Sequence, residues 1–136
     1  MSNAAATATG AAAAAGAAAG GLSAAVLRSL KIKTGAVKRL VREREVYLGE
    51  VDEQHERIEK LRAREGVDDA DIRKQNEVLE ETLQMIPHME RRIRDAARDL
   101  ENLVLATREG SHHHSAAELA DADAAICAAR SVVPAA

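Results

Sequence analysis

The chain has 136 residues, of which 46% are hydrophobic and 30% charged, with a formal net charge of -3, one Tyr, no Phe and no Trp. This length corresponds to one domain, and the lack of aromatics excludes two classes. It argues against a sheet core, which favours aromatic and β-branched side chains, and against stacking single-stranded nucleic acid on an aromatic platform.

In chain order, residues 1–21 are almost entirely Ala, Gly, Ser and Thr, broken by Gly10, Gly16, Gly20 and Gly21. They offer no face to bury, so a disordered low-complexity tail is expected. The stretch is too weakly hydrophobic for a secretory signal. Its first basic residue, Arg28, already belongs to the following helical pattern, which argues against a transit peptide.

The bundle is expected over 22–136, opening with a helix over about 22–64. Leu30, Val37, Arg44, Val51 and Ile58 are spaced by seven, and Leu40, Val41, Tyr47, Leu48 and Leu61 fill the other half of that seam. A strict seven-residue repeat marks helices that wind around each other. Gly35 and Gly49 lie inside, each costing roughly 1 kcal/mol against Ala, but the seam runs through both. Gly66 is the expected C-cap.

The next helix is expected over about 69–107, with Asp68 or Asp69 as N-cap and Asp71 as a favourable charge in its first turn. Its ladder is Ile72, Leu79, Ile86, Ile93 and Leu100, flanked by Leu83, Met89, Ala96, Leu103 and Val104. Pro87 interrupts the backbone bonding but not the heptad phase, so a kinked, continuous helix is expected. The connection Glu65-Gly66-Val67-Asp68-Asp69 is short enough to force an antiparallel hairpin, a rod of roughly 60 Å at ~1.5 Å per residue.

After Arg108–His114, Ser115 and Glu118 form a capping box that opens a third helix over about 115–133. Leu119, Ile126 and Val133 carry its heptad, and Pro134 closes it. The fold class is therefore all-α: a rod-shaped, antiparallel up-down-up three-helix bundle with coiled-coil-like packing. Centring the turns places Tyr47 by Ile86, Val37 by Ala96, Leu119 by Leu103 and Ile126 by Ala96. The third helix would stop level with Met89, leaving residues of roughly 48–86 two-stranded, either as a plain coiled coil or as a surface open to a partner.

The polar residues support no catalytic reading. No nucleophile stands near a base and no Gly-rich phosphate loop appears. His112-His113-His114 lacks carboxylates or cysteines at zinc spacing, so neither metal nor cofactor is expected. Cys127 is the only cysteine, which cannot form an internal disulfide and fits a reducing compartment. No run approaches the roughly 20 apolar residues of a membrane span. Acid–base neighbours such as Glu56 and Lys60 read as surface pairs. Arg44 occupies a seam position. The favoured reading is that its stem packs while its head reaches water; the alternative is a register-fixing contact with Glu90.

Charge is uneven. Residues 1–42 hold six basic side chains, Arg28, Lys31, Lys33, Lys38, Arg39 and Arg42, and no acid. Such a patch can attract an acidic partner, or be a plain solvated face.

The run Lys31-Ile32-Lys33-Thr34-Gly35-Ala36-Val37-Lys38-Arg39-Leu40-Val41 resembles the opening of the tubulin-folding cofactor A, or tubulin-specific chaperone A, family. Tyr47, Ile58-Glu59-Lys60, Arg62-Ala63, Asp71-Ile72, Lys74-Gln75, Leu79-Glu80-Glu81, Met85-Ile86-Pro87 and Arg91-Arg92 continue the match, which spans about residues 30–133. The chain departs from the family in its Ala-rich start, its histidine run and its Ala-rich third helix. The resemblance implies a non-enzymatic cochaperone, cytoplasmic and cytoskeleton-associated. It would capture β-tubulin folding intermediates after the cytosolic chaperonin, hold them for later tubulin cofactors, and make the contact through its helices.

On that reading the β-tubulin contact is expected at Lys31, Lys33, Lys38, Arg39, Arg91 and Arg92, with no nucleic acid or membrane partner and a monomer or weak homodimer. A generic helical scaffold or trafficking module is the alternative. A basic helix for polyanions is a third reading, and it implies binding that falls steeply with salt.

Overall fold

The computed structural model describes residues 23–110 and 117–135. The Ala-rich tail, His112–His114 and Ser115 of the expected capping box lie outside them. Three helices follow in order: α1 (Ala24–Arg62), α2 (Asp69–Gly110) and α3 (Ala117–Val132). All three pairs of helices touch, and the described residues contain no strand.

The ends follow from local chemistry. Ser23 is extended and its side chain accepts a hydrogen bond from the Val26 N–H at 3.2 Å, satisfying one of the orphan donors of α1. α1 stops at Arg62, short of the expected end, with Ala63 rather than Gly66 as its cap. Gly66 instead turns the chain three residues later, at φ 74°, where a side chain would be strained. Asp68 then caps α2: its carboxylate accepts from the Ala70 N–H at 3.1 Å, and Asp69 and Asp71 sit in the positive first turn. α2 runs unbroken through Pro87, which lies on its exposed side.

Two separate cores form. The larger joins all three helices through Leu30, Val37 and Leu40 of α1, Ile93, Ala97, Leu100 and Val104 of α2, and Leu119, Ala122, Ala125 and Ala129 of α3, with Val133 just beyond. The smaller is two-stranded and consists of Val51, Ile58 and Leu79, with Ile86 packed against it. Burying each Leu or Ile contributes about 1.5–3 kcal/mol, so most of the apolar stabilisation lies at the three-helix end.

Between the cores stands Arg44. Its Nε and Nη2 donate to Glu90 Oε1 at 3.3 and 3.2 Å, with the two side chains only 18% and 33% exposed. This overturns the expected solvent-reaching head. Glu90 follows the seam residue Met89, which puts its carboxylate within reach of the guanidinium and offsets the cost of half-burying both.

Three further expectations fail. Leu83, read as a seam residue, is 42% exposed, because the two-stranded core closes around Val51, Ile58, Leu79 and Ile86 without it. Gln54, which was not assigned to the seam, is 4% exposed there, and its Nε2 donates to the Gln75 carbonyl and to Gln75 Oε1, both at 2.9 Å. The register of α3 is also displaced. The expected pairing put Asp123 beside Asp99 and Arg130 beside Arg92; instead Asp123 pairs with Arg108, and Arg130 with Glu101 at 3.2 Å. α2 continues to Gly110 rather than ending near Thr107, which carries the crossing further along the rod. The chain after α3 stops at Arg94, whose Nε donates to the Pro134 carbonyl at 3.1 Å, not at Met89.

Candidate partner-binding surface

The pairings of Lys33 with Asp99 and of Arg44 with Glu90 put Arg91 and Arg92 on α2 at the same level as residues 40–43 of α1. The six cations singled out in the sequence thus share one stretch of the rod, but not one role. Lys33 is bound to Asp99, and Lys38 to Asp121 on α3 at 2.6 Å. Those two charges are taken up in partly exposed ion pairs between helices. Arg39 approaches Glu43 only at 3.9 Å and is 66% exposed. Arg91 and Arg92 are exposed and form no ion pair among the described residues. Lys31 is exposed too, beside a shallow depression lined by Thr34, Ala117, Glu118 and Asp121.

Two more cations, Arg28 and Arg42, are exposed at the same end, and no acid lies among the described residues before Glu43. The distal part of the hairpin is acidic by contrast: over residues 43–89 there are 14 Asp and Glu against seven Lys and Arg. The rod is therefore polarised, positive along the outer side of α1 near its start and negative toward the Gly66 turn. Such a field orients a charged partner before contact.

The missed features are apolar. Ile32 and Val46 on α1 are 64% and 61% exposed, and Val78, Leu83, Met85 and Leu105 on α2 are 42–52% exposed. A shallow groove between α1 and α2 brings Tyr47 beside Thr82, Met85 and His88, and continues past Glu50 and Gln54 to Val78. A second depression on α1 is lined by Arg39, Arg42, Glu43, Val46, Tyr47 and Glu50. Of the exposed apolar residues, Leu83 was read as a seam residue, and the groove between α1 and α2 lies on the two-stranded stretch expected either as a plain coiled coil or as a surface open to a partner. Ile32 and Val46 fall outside the ladder, and that was the available signal. Among the described residues no three His, Cys, Asp or Glu side chains converge as metal ligands, and no helix is long and apolar enough to cross a membrane. The chemistry on offer is helix-face recognition.

Residues 25–126 match the model of a family described as tubulin binding cofactor A. The chain belongs to this family. A human relative, tubulin-specific chaperone A, is 47% identical over 78 residues, which is 57% of this chain and 71% of the relative. The crystal structure of tubulin folding cofactor A from Arabidopsis thaliana superposes with a TM-score of 0.70 at 30% identity, covering 79% of this chain and 97% of that one. A second structure, RBL2P, described as a β-tubulin binding post-chaperonin cofactor, gives a TM-score of 0.65 at 31% identity and covers 77% of this chain and 97% of its own. The family is one of chaperone cofactors, so the resemblance read from the Lys31–Val41 run and the Met85–Arg92 run is borne out.

Proposed function

We propose that this protein is a non-enzymatic cochaperone that captures β-tubulin folding intermediates after the cytosolic chaperonin and holds them for later tubulin cofactors. The observation that carries the reading is membership of the cofactor A family together with a solved relative described as binding β-tubulin. The surface supports it, since an elongated rod with exposed helix faces suits capture of a protein chain. On this reading the protein works in the cytoplasm beside the microtubule system, as a monomer or weak homodimer, without nucleic acid, membrane or cofactor.

Of the six candidate contact residues, Lys31, Arg39, Arg91 and Arg92 are the ones whose charges remain available to an acidic partner. Lys33 and Lys38 are already paired with Asp99 and Asp121. Charge reversal of the four available residues should slow association with β-tubulin and weaken capture, more at low salt than at high. Helical content should stay intact, because none of the four is buried. Surface plasmon resonance at two ionic strengths checks this. Equal capture by parent and variant at low salt would move the contact to the Tyr47–Met85 groove.

A further inference from the structure

α1 carries a second heptad stripe on the side facing away from α2 and α3. Arg28, Gly35, Arg42 and Gly49 are spaced by seven, and Ile32, Arg39 and Val46 form the interleaved row. Every one of these residues is exposed. Ile32 and Val46 are the two most exposed large hydrophobics among the described residues. A seven-residue repeat is the pattern of a helix that receives another helix, and none of the described residues occupies it.

The glycines sharpen the point. A Cβ built on Gly35 or Gly49 meets nothing within 4 Å. Neither has the positive φ that would require glycine, unlike Gly66. Each therefore lowers helix stability with no packing return inside the fold. Glycine on a helix face lets a second backbone approach closely, and here it recurs at the same heptad position.

Building on the tubulin-capture reading, we infer that this outer stripe of α1 is a docking seam for an acidic amphipathic helix of the β-tubulin chain, lying nearly along α1. Its large aliphatic residues fill the notches at Gly35 and Gly49, Ile32 and Val46 insert between its turns, and its carboxylates face Arg28, Arg39 and Arg42. Charge complementarity selects an acidic occupant. The stripe holds three cations and no acid, so a second copy docked stripe to stripe would set those cations against their own kind, while a copy presenting its acidic distal hairpin would show as self-association of the parent alone. An anionic lipid surface would satisfy the charges but has no use for a glycine notch between them.

The test uses the full chain and β-tubulin synthesised in a cell-free translation extract, read by native-gel shift. Gly35→Leu enters open space and should melt at or above the parent temperature, while weakening capture at least tenfold. Ile32→Ser should weaken it at least threefold. Leu105→Ser, 52% exposed on α2, should leave it unchanged. If the parent shifts β-tubulin and Gly35→Leu does so within twofold, the seam is overturned and the tubulin reading stands. If the parent shifts no β-tubulin, both fall. If Gly35→Leu lowers the melting temperature, the paired reversal Arg39→Glu with Arg42→Glu decides: unchanged capture at low salt overturns the seam. A sedimentation shift of the parent alone that Gly35→Leu abolishes, or equally sensitive binding to phosphatidylserine vesicles, assigns the stripe to a second copy or to lipid and overturns the proposal.

Discussion

Gln54 shows what one polar residue does in an aliphatic seam. Its amide nitrogen serves two acceptors on Gln75, and Arg57 Nη1 donates to its oxygen at 2.8 Å, so the buried amide is fully engaged. Removing one partner leaves the rest of the network unsatisfied, whereas replacing both by apolar groups does not. Gln54→Ala should cost about 1–3 kcal/mol in urea unfolding, while Gln54→Leu combined with Gln75→Leu should match or exceed the parent. A single variant within experimental error of the parent would show that water replaces the Gln54 amide freely. The Arg44–Glu90 pair calls for different arithmetic. Both side chains are partly solvated, so a double-mutant cycle to Ala should give a coupling of about 1 kcal/mol or less, falling with added salt.

At the scale of the element, Pro87 is the informative residue. α2 passes through it without a break, although a proline inside a helix removes one backbone hydrogen bond and can cost about 3 kcal/mol. Its ring faces solvent, so Pro87→Ala restores the bond without touching either core. The variant should gain about 1–3 kcal/mol in thermal or urea unfolding; a loss would show that the proline shapes α2 in a way the seam requires. The helices themselves were legible in the sequence because a seven-residue repeat of Leu, Ile and Val has few other physical uses. Their ends were less so: Ala63 carries no distinctive capping chemistry, and Gly110 is a glycine end signal that the expected boundary near Thr107 did not use. The register of α3 was not legible: Ala122, Ala125 and Ala129 form its buried face, and in an Ala-rich helix the buried alanines look like the exposed ones. The cationic end was visible as residue type. Which cations are consumed by Asp99 and Asp121 depends on contacts 66 and 83 positions apart, beyond any local pattern.

For the molecule as a whole, the division into two cores sets the dynamics. Twelve buried residues close the three-helix end, against three in the distal hairpin. Regions with few buried apolar contacts open at lower free energy than the rest. Amide hydrogen exchange should therefore show the stretches around Val51–Ile58 and Ile72–Leu79 exchanging well ahead of those around Val37 and Leu100. Uniform protection along the rod would mean that the hairpin and the bundle unfold as one unit.

The same division makes the rod extensible. Among the described residues the distal hairpin packs only on itself, and its repeat is seven residues on both strands. Inserting one heptad into α1 near Ile58 and one into α2 near Leu79 would keep every side chain on its face and every cross-strand neighbour in step. The Gly66 turn would simply move outward by about 10 Å, at ~1.5 Å per residue. An insertion in one strand only would shear the two ladders and expose both. Length is thus a free variable of this architecture, changeable only in matched pairs, and lineages could stretch or shorten the tip without disturbing the end where the three helices meet.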